Sequence, residues 1–543
     1  MLKTRSGSES LTGYSSNMST LFIHNVNILS FHKNFVKGKN TIVINGNKIS
    51  AVGKFEELKP LIHPATKMID AAGKTLMPGF NDTHIHIWKV GNLKTFMLDV
   101  RAAKSLDEML SMLENYYKSN PDIAWVTARG FNEAAWQTGK LPTKDDLDKV
   151  IKDKPVYVIR TCAHIAVANS KALEISGITS KTIVPEGGEV HTNSNGQPNG
   201  IFAENALGLI TKHIPAYTKN ELKLMVKAAR NEMYSYGITS ATDPAVDPLL
   251  LQTYHEMNDA GELQFRLNAL PILLPDGGEN PYLLPESFSS DFLNVNTVKF
   301  FSDGGLSGKT SALKKHYKNS DEKGVLRLKR EQYSRLCISA MEKGFGIATH
   351  AIGDAAIEFV IDVYKQLHKD FPSAIKRIEH LGLPEKKHLS EMADNNIAAS
   401  MQSIFISELG KNFIRYLDED YLNHCYPIKS VMQHGILTAL SSDAPVVKDF
   451  NPLKGIEAAV TRRTNEGSLI AAAEAISKED ALKAYTINAS AISNTNNSGT
   501  IEPGKWADFI LLNKNPLTTP VEEITTVEVE ETFVGGQRVW KRH

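Results

Sequence analysis

Thr83-His84-Ile85-His86 sets two imidazoles two residues apart. On a strand, side chains alternate between faces, so both rings would project the same way. Neutral imidazole is a good ligand for zinc and neighbouring divalent ions. A lone His-x-His is common by chance, so other residues have to join it. His350 closes the apolar run Gly346–Thr349, His380 follows Ile375–Glu379, and Asp443 follows Leu440-Ser441-Ser442 and precedes Ala444-Pro445. Lys299 stands between Thr297-Val298 and Phe300-Phe301, where an unpaired ammonium would be costly. Two readings of it are open. It is salt-bridged to a nearby carboxylate such as Asp303, or it is carboxylated by carbon dioxide, which exchanges the cation for a carboxylate able to bridge two metal ions. Any one histidine taken alone reads equally well as a buried, satisfied polar group. Five separate run ends, each with a metal-capable side chain, are hard to assign to packing alone.

These residues need a scaffold that brings distant run ends together. Short β-rich runs at 76–87, 238–243, 264–273, 297–303, 346–354, 375–383, 397–405 and 436–445 alternate with amphipathic stretches such as KNELKLMVKAARNEMYSY and REQYSRLCISAMEK. Eight βα units is the count of an α/β fold of the (β/α)8 TIM-barrel type, in which catalytic groups sit at the C-terminal ends of the strands. The gap between the first and second runs is far longer than a βα unit needs. It contains strand-like pieces at 124–131 and 155–169 and a Gly-rich turn, EGGEVHTNSNGQPNG, so it reads as an α/β subdomain inserted at about 90–230. A smaller insertion is expected after the fourth run, through Arg330.

Both ends of the chain have another texture. TLFIHNVNILS, TIVING and NKISAVG, with a turn at Asn45-Gly46-Asn47, match GTIEPGKWADFILLNKNP and VEETFVGGQRVWK, with a turn at Gly535-Gly536. Neither end alone has enough strands for a stable sheet. The expected organisation is therefore a polar leader at 1–18, a small β-sandwich built from 19–78 and 491–543, and the barrel at 79–490.

Composition narrows the function. Of 543 residues, 42% are hydrophobic and 22% charged, and 61 Lys+Arg balance 61 Asp+Glu. That leaves no basic excess for a nucleic-acid partner. No run approaches the roughly 20 apolar residues that span a bilayer, so no membrane partner is expected. The three cysteines, Cys162, Cys337 and Cys425, form no CxxC pair, which argues against a disulfide framework and a cysteine zinc site and fits a reducing cytoplasm. The stretch before Met18 has no apolar core, unlike a secretory signal.

Taken together, Pro78-Gly79-Phe80-Asn81-Asp82-Thr83-His84-Ile85-His86, Val298-Lys299-Phe300-Phe301-Ser302-Asp303-Gly304, His350-Ala351-Ile352-Gly353-Asp354, Ile378-Glu379-His380, Asp443 and Gly504-Lys505-Trp506-Ala507-Asp508 resemble the amidohydrolase superfamily. Within it they are similar to the YtcJ-like (amidohydrolase-3) branch, from about Thr20 to the end of the chain. The resemblance implies a metal-dependent hydrolase of non-peptide carbon–nitrogen bonds, of N-acyl or N-formyl type. His84, His86 and Asp443 would bind one divalent ion, His350 and His380 a second, and carboxylated Lys299 would bridge them. Zinc is the expected ion, with manganese or iron as alternatives, and carbon dioxide is needed for the carboxylation. Water activated by the metal would attack the carbonyl carbon, with Asp443 taking its proton and passing it to the leaving amine. Two alternatives stand beside this. A mononuclear deaminase of the same superfamily commonly carries a Glu three residues after the strand-five histidine, where this chain has Gly353 and then Asp354. A non-catalytic barrel used for binding would have lost ligands, and all six are present. Trp136, His164 and Gln402 are candidate substrate-binding residues, as are Trp88 and Phe405, while Arg129 or Arg160 would suit a substrate carboxylate. The partner expected is a small-molecule substrate, and a homodimer is left open.

Overall fold

The computed structural model of the chain describes residues 20–32, 38–133, 136–161, 163, 165–185, 188–275, 280–495 and 497–543. The expected leader at 1–18, Cys162 and His164 lie outside the described residues.

Eight short strands hold the centre. β1 (Phe80–Asp82), β2 (Ile238–Val246) and β3 (Arg266–Pro271) lie side by side, and Leu293–Val295 and Phe288–Ser289 extend them into a five-stranded sheet. β4 (Thr297–Phe301), β5 (Gly346–Ala351), β6 (Lys376–His380), β7 (Ile397–Met401) and β8 (Thr438–Leu440) form a second five-stranded sheet in that order. Neighbours within β1–β3 and within β4–β8 run parallel. The two sheets meet at both edges. Ile272 bridges Lys299 in parallel on one side. On the other, the Asp443 N–H donates to the His84 carbonyl at 2.7 Å and the His86 N–H to the Ala444 carbonyl at 2.9 Å.

Parallel strands covered on both faces are apolar throughout rather than alternating. β5 is accordingly buried at every position and stands out in the sequence, whereas β6, Lys-Arg-Ile-Glu-His, is buried at every position although four of its five residues are polar or charged. Each expected run contains one of the eight strands. Seven are shorter than expected, and β2 continues to Val246. The first run breaks at Gly79. Thr75–Pro78 joins another sheet, and a Cβ at Gly79 would meet the Thr239 side chain at 2.2 Å.

The helices lie between the strands. α1 (Ile87–Thr95) starts at His86, and α2 (Lys219–Ser235) starts at a capping box in which Thr218 and Glu221 exchange hydrogen bonds. α1 crosses α2 at Gly91, where a Cβ would lie 1.7 Å from the Met225 carbonyl oxygen.

The long gap after β1 holds a six-stranded sheet. Its order is Gly188–Thr192, Pro198–Glu204, Ile165–Ala168, Val156–Arg160, Val126–Phe131 and Leu98–Asp99. Val100, Met109, Leu113, Val126, Val158 and Trp136 belong to a core cluster of its own. After β4, residues 302–329 form an irregular stretch whose one named turn is Leu306–Gly308.

The two chain ends meet in sheet and core. Thr75–Pro78 pairs antiparallel with Phe509–Leu512, and the Val529–Val534/Gln537–Lys541 hairpin continues that sheet. Thr20–His24, Thr41–Asn45, Lys48–Gly53 and Lys67–Asp70 make a four-stranded sheet. Ile23, Ile42, Ile44, Phe509 and Phe533 share one cluster. Arg266 of β3 fastens this end to the centre through Asp508, at 2.8 and 3.0 Å with both side chains buried. No helix among the described residues is long and apolar enough to cross a membrane.

Candidate metal and catalytic site

His84 and His86 do not lie on a strand. β1 ends at Asp82, and the two histidines occupy the irregular link into α1, with His86 at its N-cap. Their rings nevertheless converge, because the link is pinned from β8. Asp82 Oδ1 accepts the N–H groups of His84 (3.2 Å) and Ser442 (3.1 Å), and Thr83 Oγ1 lies 2.7 Å from Ser400 Oγ. Asp443 stands beyond β8 with φ +59°, and His380 ends β6 with φ +74°. Non-glycine residues rarely hold this backbone region, at a cost of about 1–3 kcal/mol each, and here it turns both side chains inward.

The Asp443 Oδ1 lies 3.4 Å from His84 Nε2 and 3.3 Å from His86 Nε2. Two donors each about 2.0–2.1 Å from one tetrahedral ion are about 3.3 Å apart. The three side chains therefore fit a shared metal. The other nitrogen of His84, Nδ1, faces Glu379 Oε2 at 2.5 Å, and Glu379 is gripped by Arg377 Nε at 2.5 Å and Nη2 at 3.1 Å. Arg377 Nη2 also donates to the Thr83 carbonyl at 2.8 Å. Burial works against a charged His84, but the Asp443 and Glu379 carboxylates outweigh it and raise its pKa. The space between its Nε2 and Asp443 therefore attracts a cation, whether proton or metal. Burial pushes His86 and His350 down to about 3, so both rings are neutral at physiological pH, as ligation requires.

His380 and His350 lie with ring centroids 4.4 Å apart, and His380 is 4.7 Å from His84. Gln402 Oε1 accepts from His380 Nδ1 at 2.7 Å, while Gln402 Nε2 donates to Ser441 Oγ at 2.8 Å. His350 Nε2 lies 3.1 Å from the Gly304 carbonyl and 3.2 Å from Asp303 Oδ1. Asp303 is fixed by the N–H groups of Ala312, Ile352 and Gly353 at 2.9–3.1 Å, and burial raises its pKa to about 7. Lys299 is fully buried, and its Nζ has no hydrogen-bond partner, Asp303 included. Burial lowers its pKa to about 8. A buried ammonium with nothing to bond is costly, and the donors around it are those of the histidine–aspartate cluster. The residues present fit a resident metal centre.

A cavity of about 220 Å³ opens onto His84, His86, His350, His380 and Asp443. Phe405, an expected pocket residue, lines it. Trp136 is not brought there: its ring packs 6.1 Å from Phe131 in the six-stranded sheet's core, and its Nε1–H donates to the Ala103 carbonyl. Gln402 sits behind His380 rather than in the cavity, so it orients a ring. Trp88 packs against Tyr217, and Arg160 is paired with Glu133 at 2.8 Å. Gly353 cannot carry an acid at the deaminase offset, because a Cβ there would lie 2.0 Å from the Ala312 carbonyl oxygen. Asp354 is engaged by the Lys314 N–H and the Tyr421 hydroxyl, both at 2.8 Å. The sequence reading gave no role to Glu379, Arg377 or Asp82, and named Asp303 only as a possible partner of Lys299. A second acidic group, Glu358, Glu385 and His388, is answered by Lys314 and Lys387 and offers no comparable centre.

Residues 67–540 match the family model described as "Amidohydrolase family". The YtcJ protein of Bacillus subtilis (strain 168), an amidohydrolase by name, is 28% identical over 92% of this chain and 96% of its own length. N-substituted formamide deformylase of Arthrobacter pascens is 26% identical over 97% of this chain and 99% of its own. The crystal structure of an uncharacterized metal-dependent hydrolase from Pyrococcus horikoshii OT3 superposes with a TM-score of 0.77 at 26% identity, covering 93% of this chain and 99% of that one.

Proposed function

Because the chain belongs to the amidohydrolase family, a family of metal-dependent hydrolases of carbon–nitrogen bonds, we propose that it hydrolyses a non-peptide amide of N-acyl or N-formyl type in a small molecule. The observation that carries this reading is the convergence of His84, His86 and Asp443 at 3.3–3.4 Å beside His350, His380 and a partnerless Lys299. The relative named as an N-substituted formamide deformylase supports the bond type.

His84, His86 and Asp443 would hold one ion, His350 and His380 a second, and Lys299 would join them once carboxylated. Zinc suits the nitrogen-and-oxygen donor set, and manganese or iron are alternatives. Carboxylation forms a bond from the neutral Lys299 Nζ to the carbon of carbon dioxide and releases the displaced N–H proton to solvent. When bound, the ions supply water activated for attack near neutral pH and polarisation of the carbonyl oxygen. Asp443, whose Oδ1 lies 3.4 Å from His84 Nε2 and 3.3 Å from His86 Nε2, would take a proton from the attacking water and return it to the leaving nitrogen. Phe405 and Ile352 give the cavity apolar lining.

The same reading extends to architecture. The edge contacts Ile272–Lys299 and Asp443–His84 support joining the two central sheets into one (β/α)8 barrel. The sheets of the chain ends form a β-sandwich (19–78 with 491–543), and the six-stranded sheet is a subdomain inserted at about 90–230. A cytoplasmic location is consistent with the two described cysteines being free and buried.

The test is a hydrolysis screen of N-formyl, N-acyl and cyclic amides with metal-replete protein, with elemental analysis of the same sample. One to two divalent ions per chain and cleavage of at least one amide class are expected, and His84→Ala should lower both. Metal-free wild-type protein that still cleaves amides would overturn the reading.

A further inference from the structure

We propose that Arg101, on the inserted six-stranded sheet, is a positioning residue for Asp443: it ties the loop that carries Asp443 to the insertion and so joins two walls of the cavity. This rests on the metal-centre reading of that cavity and adds to it a residue from outside the ligand cluster.

The loop that begins at Asp443 leaves β8 and leads into the helix Pro452–Thr461. At its start the Asp443 N–H donates to the His84 carbonyl, the Ala444 carbonyl accepts from the His86 N–H, and the Val446 N–H closes a turn onto the Asp443 carbonyl at 2.9 Å. Further along, Glu408 on the helix Ile404–Tyr416 accepts the N–H groups of Lys448 and Asp449 at 2.6 and 3.0 Å. Val447 stands between these two fastenings. It is wholly buried, and its carbonyl accepts from Arg101 Nη1 at 3.0 Å. A carbonyl shielded from water is costly to leave unbonded. Asp443 itself holds φ +59°, a conformation that persists only where the surroundings over-determine it.

The geometry around Arg101 commits it to this contact. Its Nε and Nη2 grip the Asp99 carboxylate at 2.6–3.0 Å, and its own backbone N–H donates to Asp99 Oδ1 at 3.0 Å. The planar fork is thereby oriented, and Nη1 is left for the Val447 carbonyl. Leu98–Asp99 pairs with Val126–Phe131, and the Val100 N–H donates to the Arg129 carbonyl. The Arg101 stem crosses that strand at Gly130, where φ is +111° and a Cβ would lie 2.1 Å from Arg101 Cγ. Any side chain at 130 would push the guanidinium off its partners. Arg129 on this strand and Pro445 and Val446 on the loop line the same cavity. One side chain thus joins a wall from the insertion to a wall from the central sheets, four residues along the chain from Asp443.

Cobalt(II) binding separates positioning through Asp443 from general loosening. Chelator-treated wild-type, Arg101→Met, Asp443→Ala and Arg101→Met/Asp443→Ala proteins are titrated with cobalt(II) against a chromogenic chelator, and the visible d–d band of each loaded protein is recorded. Arg101→Met should weaken the tighter site about 3- to 10-fold, less than the full value of a charge-assisted hydrogen bond because the other fastenings remain. It should also move the band toward that of Asp443→Ala. With Asp443→Ala already in place the same substitution should cost nothing, because the loop no longer carries a ligand, so the two changes are non-additive. Arg101→Lys repeats the cycle should Arg101→Met fail to fold. Unchanged cobalt affinity and band in the Arg101 variant, or an equal loss in both backgrounds, would overturn the proposal and leave the metal centre standing. Wild-type protein that takes up no cobalt would overturn the metal-centre reading and this inference with it.

Discussion

Glu379→Gln tests whether the buried triad Arg377–Glu379–His84 orients the metal centre or only fills it. In the wild type the carboxylate receives two bonds from Arg377 and one from His84 Nδ1, with both its partners almost wholly buried. A carboxamide can still accept from one of them, but its NH2 group then faces N–H donors of the other. It also leaves the Arg377 guanidinium uncompensated, and Arg377 Nη1 already lacks a partner. Breaking a buried pair this way costs about 3–5 kcal/mol, a large part of the roughly 5–15 kcal/mol that keeps a domain folded. Loss of the group that orients a ligating imidazole should weaken metal binding about 10- to 100-fold. The two effects separate in a second variant, Arg377→Met/Glu379→Leu. Removing both charges should recover most of the stability, yet His84 stays without its orienting acceptor and metal binding stays weak. Urea unfolding of chelator-treated protein measures the first quantity, and competition with a chromogenic chelator measures the second. Wild-type metal affinity in Glu379→Gln, or recovery of metal affinity together with stability in the double variant, would refute the positioning role. The triad also predicts acid sensitivity. Burial alone would raise the Glu379 pKa, but Arg377 and the His84 N–H hold it well below the usual range. Its stabilisation is therefore complete above the unfolded value of about 4.3, and the gap between wild type and Glu379→Gln should close as pH falls below that value.

Lys299→Met replaces a buried ammonium that has no hydrogen-bond partner and only the Phe301 ring beside it by an apolar chain, so chelator-treated protein should gain about 1–3 kcal/mol in urea unfolding. If the wild type holds the bridged pair, the same variant should hold one ion instead of two, by elemental analysis. Gly91→Ala drives a methyl into the Met225 carbonyl, so α1 and α2 must separate, and a loss of about 1–3 kcal/mol with reduced metal retention is expected from thermal unfolding and metal content. Asp508→Ala strands the buried Arg266 guanidinium and frees the Gly535 N–H, and should lower stability by about 3–5 kcal/mol without changing metal affinity per folded molecule.

The sequence shows most central strands because burial on both faces favours apolar runs, and polar residues then mark their ends. His350 and Asp443 were legible for that reason, while His380 closes a strand that already holds Lys376, Arg377 and Glu379. The His84–His86 link was read as strand because alternation cannot distinguish a strand from an extended segment held by tertiary bonds, here those of Asp82. Trp136 and Gln402 misled in opposite ways: one is an aromatic in a second core, the other a polar residue that serves a histidine rather than a ligand. Arg377 and Glu379 were legible in principle. They are charged residues at alternate positions within a buried run, the same anomaly that singled out Lys299. Which charges answer one another across strands depends on register, and no spacing along the chain reports it.

The pairing of Thr75–Pro78 with Phe509–Leu512 sets an order of events during synthesis. The first segment leaves the ribosome long before its partner, roughly 20–90 s earlier at about 5–20 residues per second. Through that interval Thr75–Pro78 can pair with Asn27–Ile28 on one side, but its other edge has nothing to bond, a state prone to pairing with other chains. A message cut short near residue 500 would leave that edge exposed for good, with β3 missing the Asp508 anchor of Arg266. Newly made chains should therefore depend on chaperone protection until the last hairpin has been translated, and C-terminal truncations should aggregate even though every proposed metal ligand is already present.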